Sequence, residues 1–295
     1  MSKAGPILVV GREGQVARCL AERAAARGAE LVLRGRPDLD LINPASVDAA
    51  VAAVRPRAIV NAAAFTAVDK AESEEASAFA INETGAWSLA TAAARAGVPF
   101  VHLSTDYVFD GRKPSPYVED DATAPLGAYG RSKLAGEIAV RAVYPAANIL
   151  RTAWVYSAGG TNFVRTMLRL ATERPVVRVV DDQTGNPTSA LDLADAILTV
   201  LEGPKRGGKL YHVAGRGETT WYGFAKAIFD GWARRGRAVP QLEAITTAEY
   251  KTAAPRPANS RLDCAKIERE LGIRLPDWQT SLEACLDRLA EAGDR

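Results

Sequence analysis

The sequence predicts an α/β protein built on a doubly wound parallel sheet, with a smaller, mixed α/β lobe at its C-terminal end. Two observations support this prediction. Strand-like and helix-like segments alternate over roughly the first 150 residues, which is typical of a parallel sheet covered by helices on both faces. A glycine-rich turn also joins the first predicted strand to the first predicted helix.

Short apolar runs mark the predicted strands, and cap residues mark the helices between them. Asn43 suits a helix N-cap with Pro44 at the first helical position, and Gly28 is a typical stop signal. Runs as short and apolar as PILVV are typical of buried parallel strands. The predicted strands are 6–10, 29–35, 57–64, 98–105 and 148–156, and the predicted helices are 15–27, 43–56, 73–97 (one helix or two in tandem) and 129–144.

After residue 157 the pattern becomes less regular. Residues 176–189 read as a strand followed by a turn-rich segment. Further helices are predicted near 190–202, 221–235, 246–250 and 263–271. We therefore expect a first domain over 1–156, to which an element near 176–213 returns, and a second, interleaved lobe formed mainly by 157–295.

Composition excludes several classes of protein. The chain has 295 residues, 47% of them hydrophobic and 24% charged, with a net charge of +2. These proportions are globular, and the charge is too balanced to suggest a nucleic-acid or membrane partner. The three cysteines are far apart and match no metal or disulfide pattern. With no leader-like or membrane-spanning run in the sequence, we expect a cytoplasmic protein.

The glycine turn, VVGREGQVA, predicts a dinucleotide site. Gly11 and Gly14 allow a tight turn and a close approach of the backbone to a diphosphate, and Ala17 still permits close helix–sheet packing. The helix that starts near Gln15 would point its free N–H groups and the positive end of its dipole at that anion. A turn of this kind at the start of the first βαβ unit is typical of Rossmann-type folds.

The end of the second strand indicates which dinucleotide is preferred. Arg34 and Arg36 offer cations for the 2′-phosphate of NADPH, which favours NADPH, although NADH stays possible. Asp38 and Asp40 follow, where an acid could contact the adenine or cap the next helix.

A hydroxyl, a tyrosine and a lysine form a candidate catalytic group. Ser104 and Thr105 end a predicted strand, at the sheet edge where ligands bind. Tyr129 and Lys133 share one face of a predicted helix, so the lysine charge should lower the tyrosine pKa below about 10 and also leave a donor for the nicotinamide ribose. A hydroxyl such as that of Thr105 can orient a carbonyl oxygen that develops negative charge. The group would deliver a proton to a carbonyl while a nicotinamide delivers hydride.

Motifs along nearly the whole chain make it similar to a known family. The superfamily motifs are GREGQV and AYGRSKLAGE, and the more specific ones are AAAFTAVDKAE, STDYVFDG and DQTGNPT. On these, the chain resembles the extended short-chain dehydrogenase/reductases, and among them the dTDP-4-dehydrorhamnose reductase family. The resemblance implies NADPH- or NADH-dependent reduction of the C4 keto group of dTDP-4-dehydro-L-rhamnose to dTDP-L-rhamnose, the last step of dTDP-rhamnose biosynthesis.

The resemblance also implies roles for individual residues. The catalytic residues would be Thr105, Tyr129 and Lys133. The cofactor-binding residues would be Gly11, Gly14, Gln15, Val16, Arg34, Arg36, Asp40, Leu41, Ala62, Ala63, Ala64, Tyr129 and Lys133. The substrate-binding residues would be Thr66, Val68, Thr105, Asp106, Tyr107, Trp154, Asn162 and Arg256. Trp154 could pack on a sugar face, and Arg256 could pair with the diphosphate.

One position departs from the family pattern. Some members form a Mg²⁺-bridged dimer through glutamates, one of them in the helix after NPT, where this chain has Leu191. Asp192 alone is a poor ligand set for a hard cation, so we expect no structural Mg²⁺, and a monomer or a weak homodimer.

Two other functions stay open on the sequence. Another nucleotide-sugar 4-ketoreductase or an epimerase of the same fold would use the same motifs, although an epimerase would hold NAD tightly and consume none. The chain also resembles a non-catalytic regulatory subunit, the β subunit of methionine adenosyltransferase. The intact pair of Tyr129 and Lys133 favours an enzyme.

Overall fold

Six parallel strands form the central sheet of the protein, of which the computed structural model describes residues 5–203 and 208–293. The strands in this part of the chain are β1 (Ile7–Val10), β2 (Leu31–Arg34), β3 (Ala58–Asn61), β4 (Phe100–Thr105), β5 (Asn148–Thr152), β6 (Val155–Tyr156), β7 (Val176–Val180), β8 (Thr184–Gly185), β9 (Thr188–Ser189), β10 (Leu210–His212), β11 (Thr219–Thr220), β12 (Gln241–Ile245) and β13 (Asn259–Ser260). In the central sheet the spatial order is β10-β5-β4-β3-β1-β2, with every neighbouring pair parallel. The predicted doubly wound parallel sheet is confirmed.

Helices cover both faces of this sheet. The helices of the described residues are α1 (Gln15–Ala26), α2 (Pro44–Val54), α3 (Val68–Ser73), α4 (Glu75–Phe79), α5 (Gly85–Ala96), α6 (Ala128–Val143), α7 (Phe163–Glu173), α8 (Ala190–Glu202), α9 (Trp221–Arg234), α10 (Ala265–Leu271) and α11 (Trp278–Gly293). Helices α1, α8 and α10 contribute to the core on one face, and α2, α5 and α6 to the core on the other.

Alternate side chains of each strand enter these two cores. In β1, Ile7 and Val9 pack on the α1 side, whereas Leu8 and Val10 pack on the α2 side, because successive side chains of a strand point to opposite faces. Burial on both faces explains why the strands are apolar throughout rather than alternating between apolar and polar residues.

The order of the strands reverses at β1. The strand that follows β1 in the chain lies on one side of it, and β3 lies on the other. The connections that leave the carboxyl ends of β1 and β3 therefore diverge, and they open a crevice of the kind in which α/β sheets bind their ligands.

A separate apolar core lies between α7, α9 and α11 and includes Phe224 and Trp278. Strands β7 and β12, which pair in parallel, also contribute to this core. Of the segment 176–213, β7 belongs to this second core, whereas α8 packs on α1 and β10 joins the central sheet beside β5. The domain boundary near residue 156 stays a prediction.

Several features differ from the sequence prediction. The segment predicted as one or two helices over 73–97 contains α4, a π-helical turn at Ala80–Thr84 and then α5. The strand predicted over 148–156 is divided into β5 and β6, because Trp154 between them has a left-handed backbone (φ 47°) that an extended strand cannot accommodate. Helices α7 and α11 were not predicted. A local signal for α7 did exist, because the Asn162 side chain caps that helix by accepting from the Arg165 N–H at 3.2 Å.

Candidate active site

The glycine turn after β1 lies against the end of β3. Gly11 has a φ of 118°, and a Cβ there would stand 2.9 Å from backbone atoms of both Ala62 and Ala63. The Gly14 N–H donates to the Gly11 carbonyl at 2.8 Å and closes the turn. Within the described residues, no side chain caps the start of α1. The turn therefore offers space and free N–H donors to an anion such as a diphosphate.

A cavity of about 350 Å³ opens at this turn. Its size is within the usual range for small-molecule sites. The predicted cofactor residues that line it are Gly11, Gly14, Arg36, Asp40, Leu41, Ala62, Ala63 and Ala64, and Thr66 of the predicted substrate set lines it too. The residues present thus fit a dinucleotide at the crevice between β1 and β3.

Five predicted cofactor residues lie outside that lining, and two of them, Tyr129 and Lys133, belong to the catalytic group described below. Arg34 donates to the neighbouring Leu33 carbonyl at 3.1 Å, Val16 packs against the core on the α1 side, and the Gln15 side chain points toward the second core. Arg12, by contrast, lines the cavity and was missed by the sequence analysis. Its guanidinium bonds to Asp38 at 3.0 Å and to the Arg36 carbonyl at 2.8 Å. The sequence signal for this residue was its position, since Arg12 is a cation within the glycine turn itself.

Gln15 joins the glycine turn to the second core. Its amide donates to the Val155 carbonyl at 3.1 Å and accepts from the Ser157 hydroxyl at 3.0 Å. Asn162 also donates to Gln15, at 3.4 Å, while its own side-chain oxygen caps α7. Asn162, predicted to bind substrate, thus holds the backbone at the border of the site in this structure.

The predicted catalytic residues meet at the carboxyl end of β4. Thr105 is the last residue of β4, and its hydroxyl lies close enough to the phenol of Tyr129, in the first turn of α6, to influence the pKa of that phenol. Lys133 follows one turn later, and its Nζ donates to the Leu103 carbonyl at 2.7 Å. Thr105 and Lys133 are 5% and 2% exposed, so the group is shielded from water.

The pKa of Tyr129 departs in the opposite direction from the one that the sequence predicted. Burial raises the pKa of the phenol, and the Thr105 hydroxyl opposes the rise only in part. Burial also lowers the pKa of Lys133 to about 8, against the attraction of the Glu137 carboxylate. The prediction weighed the charge of the lysine and neglected the loss of water around both groups.

The indole of Trp154 is covered on both faces. It stacks on Trp221 with 3.5 Å between ring centroids and 10° between planes. On the ring atoms Cε2 and Cζ2 lies Gly185, where a Cβ would come within 2.5 Å and 2.7 Å. Gly185 and Trp221 cannot share one face of the indole, so each covers a different face. A sugar could therefore reach only the edge of the ring. The expected packing of a sugar face on Trp154 does not fit this arrangement. Trp221 is a neighbour of the site that sequence analysis did not single out.

Arg256 already has a carboxylate partner. It bonds to Asp69 of α3 at 2.6 Å, and its charge works against the rise in the pKa of Tyr107. Burial raises the pKa of Tyr107 to about 12, and its ring meets the Tyr129 ring edge-on at 5.5 Å. Val68, the first residue of α3, lies beside this group. The structure thus brings four of the predicted substrate residues together with Tyr129: Val68, Thr105, Tyr107 and Arg256.

Asp106 is a buried carboxyl beside the catalytic group, and it accepts from the Thr105 hydroxyl at 2.9 Å. Burial raises its pKa from 3.8 to about 6. Below the pKa that this carboxyl has in the unfolded chain, the group is protonated in both states and does not lower the free energy of unfolding. The free energy of unfolding then falls as the pH rises through about 6.

Asp106→Asn is expected to stabilise the protein at about pH 8 by roughly 1–3 kcal/mol, because the amide removes a buried charge. The gain should shrink as the pH falls through about 6 toward 4, and urea unfolding at several pH values measures it. Asp110→Asn is the control: a hydrogen bond from the Tyr117 hydroxyl lowers the Asp110 pKa, so that variant should lose stability at neutral pH. An Asp106→Asn variant less stable than wild type at every pH would contradict the argument.

Other candidate sites contribute little. His102 and His212 are buried, and burial lowers the pKa of both, which keeps the rings neutral. Residues 5–203 and 208–293 contain no group of three or more His, Cys, Asp or Glu side chains placed to hold a metal ion. The same residues include no helix long and apolar enough to cross a membrane.

Three comparisons with known proteins bear on this site. A model of the family described as RmlD substrate binding domain matches residues 5–291. The chain is 49% identical over 284 residues to the dTDP-4-dehydrorhamnose reductase of Sinorhizobium fredii, covering 93% of this chain and 94% of the relative. It is 44% identical over 293 residues to the Escherichia coli enzyme of the same name, covering 96% and 97%. The solved dTDP-4-dehydrorhamnose reductase of Bacillus anthracis in complex with NADP superposes with a TM-score of 0.91 at 34% identity, covering 97% of this chain and all of that one.

Proposed function

Since the chain belongs to the RmlD substrate binding domain family, we propose that it is an oxidoreductase that reduces the C4 keto group of dTDP-4-dehydro-L-rhamnose to dTDP-L-rhamnose. NADPH is the hydride donor. Relatives that carry the reductase name and a solved relative with bound NADP support this function.

One observation in the structure supports the proposal most strongly. The hydroxyl of Thr105, the phenol of Tyr129 and the amine of Lys133 meet at the sheet edge that also carries the glycine turn. Neighbouring parallel strands end at the same edge, so a proton donor and a dinucleotide crevice lie side by side. Carbonyl reduction needs both.

The chain's own residues handle the proton. Bound NADPH supplies a hydride to the carbonyl carbon. The raised pKa of Tyr129 keeps its phenol protonated at neutral pH, as a proton donor requires. Thr105, whose hydroxyl donates to Asp106, would orient the carbonyl oxygen beside the phenol. A charged Lys133 would stabilise the phenolate that forms after proton transfer.

Two arginines support the choice of NADPH. Arg12 and Arg36 line the cavity beside Asp40. A 2′-phosphate would meet their positive charges, whereas the ribose of NADH would offer them no phosphate. Gly11 and Gly14 would hold the diphosphate, and the small side chains of Ala62, Ala63 and Ala64 would leave room at the end of β3.

The substrate side and the setting of the protein are proposals as well. The sugar nucleotide would lie near Thr66, Val68, Tyr107 and the edge of Trp154. The three cysteines are unpaired, which suits a reducing compartment such as the cytoplasm. We propose a monomer or a weak homodimer.

The experiment that tests the function follows NADPH absorbance with the purified chain and dTDP-4-keto-6-deoxy-L-sugar. Consumption of one NADPH per keto group, with dTDP-L-rhamnose identified by NMR, is the expected result. NADH should react more slowly because it lacks the 2′-phosphate.

Two matched reactions test the alternatives. dTDP-L-rhamnose with NADPH should consume no cofactor, and UDP-glucose with NAD should not epimerise. Turnover of a different keto-sugar nucleotide, with none of the L-sugar, would overturn the proposed substrate. Binding of NADPH with no turnover of any keto sugar would instead favour a regulatory subunit.

A further inference from the structure

A buried ion pair lies beneath the catalytic helix. Glu137 of α6 and Arg151 of β5 are each 3% exposed. The Arg151 guanidinium donates to both carboxylate oxygens of Glu137, from Nε at 2.8 Å and from Nη2 at 2.7 Å. The Ser104 hydroxyl donates to the same carboxylate at 2.5 Å. Such bidentate, charge-assisted contacts fix a carboxylate in position.

Stability alone does not explain a pair of this kind. Removing two charges from water costs several kcal/mol for each ion, and well-packed apolar residues are often at least as stabilising. Glu137 lies within the regular helix α6 and Arg151 within the regular strand β5. The ion pair is therefore not needed to hold an unusual backbone conformation. A buried charge at this position therefore suggests a use beyond packing.

Lys133 stands four residues before Glu137 on the same face of α6, which brings their side chains to neighbouring turns. Lys133 itself is 2% exposed and donates to a backbone carbonyl, which carries no net charge. A buried amine of this kind tends to lose its proton. The Glu137 carboxylate acts against that loss.

The other ionisable groups around Lys133 do not replace Glu137. His102 on β4 and Tyr129 on α6 are neutral, since burial lowers the pKa of the first and raises that of the second. Arg151 on β5 is a cation, and Asp106, beyond β4, bonds to Thr105.

The helices that cover α6 supply carboxylates engaged elsewhere. Glu72 of α3 accepts from the Ala128 N–H at 2.7 Å, and Glu75 of α4 accepts from Arg131 at 2.8 Å. Glu83, in the π-helical turn after α4, is half-buried. Lys133 therefore has a fixed carboxylate neighbour in Glu137.

We propose, on the basis of the proposed function, that Glu137 is a positioning residue for Lys133. Held by Arg151 and Ser104, its carboxylate keeps the buried amine protonated and in place on the face of α6 that carries Tyr129. The Tyr–Lys pair is then the end nearest the site of a longer series of side chains, Tyr129–Lys133–Glu137–Arg151, that reaches into the core.

The test is the titration of Lys133 in wild type and in Glu137→Gln, followed by NMR of ¹⁵N-lysine-labelled protein, with Lys133→Met to assign the signal. This readout needs no turnover, so it tests Glu137 even if the substrate differs from the proposed one. Wild type should titrate at about 8, and Glu137→Gln at least about one pH unit lower, because a buried amine without its carboxylate loses its proton more easily.

The pH profile of kcat should follow the titration. A fall of about one unit from about 8 leaves roughly a tenth of the amine protonated at about pH 8 instead of half, hence about a fivefold lower kcat there. At about pH 6 the two proteins should differ by less than about twofold. Glu137→Asp, which keeps the charge, should restore part of the difference.

Glu119→Gln is the matched control. Glu119 is also buried, and it accepts from the backbone N–H of His212 at 2.8 Å rather than lying one turn from Lys133 on α6. That variant should leave the Lys133 titration unchanged. If Glu137→Gln does not fold, Arg151→Met supplies the test, because it removes the guanidinium that holds the carboxylate, and the Lys133 midpoint should fall in the same direction. A Lys133 midpoint that is unchanged in either folded variant would overturn the proposal.

Discussion

Tyr129→Phe is expected to lower kcat for reduction of the keto sugar by roughly a hundredfold to ten-thousandfold, the usual contribution of a general acid. The phenol is the proposed proton donor at the end of β4, and phenylalanine removes that donor while keeping the ring that packs against Tyr107. Steady-state NADPH oxidation measures the loss, and fluorescence titration should show an unchanged Kd for NADPH.

Tyr144→Phe is the control for this prediction. Tyr144 follows the last residue of α6, and its hydroxyl donates to the Val98 carbonyl at 2.9 Å, at the far end of the helix from the site. Loss of that hydroxyl should leave kcat unchanged. Undiminished turnover by Tyr129→Phe would remove Tyr129 from the role of proton donor, and an equal loss in both variants would point to a general effect on α6.

Gly11→Ala is expected to weaken NADPH binding by at least about tenfold and to lower the free energy of unfolding by about 2–4 kcal/mol. The new methyl group would stand 2.9 Å from the backbone of Ala62 and Ala63, and the φ of 118° is strained for any residue with a side chain. Since backbone atoms rather than a flexible side chain are in the way, β1 and β3 must separate at the crevice that holds the cofactor. Fluorescence titration with NADPH and urea unfolding measure the two effects.

Gly28→Ala separates backbone strain from the clash. Gly28 also has a positive φ, 65°, but nothing lies within 4 Å of the added methyl group. That variant should lose about 1 kcal/mol and bind NADPH normally. If Gly11→Ala behaved like Gly28→Ala, close approach of the glycine turn to β3 would not matter for cofactor binding.

Local signals in the sequence predicted much of the fold and of the site. The cap at Asn43, the glycine turn and the apolar strands are fixed by neighbours within a few residues, so they could be identified before the structure. The approach of Thr105 to Tyr129 also followed from topology, because strand ends and helix starts share one edge of a parallel sheet.

Features set by distant contacts could not be predicted in this way. The left-handed Trp154 is held between Gly185 and Trp221, which are 31 and 67 residues away in the chain and give no signal near Trp154 itself. The direction of the Tyr129 pKa depends on how many atoms surround the phenol, and no spacing of charges reveals that. Arg12 was overlooked because only the folded loop shows that it faces the cavity.

The hydrogen bonds of the Gln15 amide would link the affinity for the cofactor to the affinity for the sugar nucleotide. It ties the first turn of α1, where a diphosphate would bind, to Val155, Ser157 and the cap of α7. A ligand that shifts the start of α1 therefore also shifts the anchor of the second core. Coupling of this kind is reciprocal, so whatever affinity one ligand gains from the presence of the other, the second gains by the same factor. A single side chain would thus make cofactor and sugar nucleotide cooperative ligands of one another.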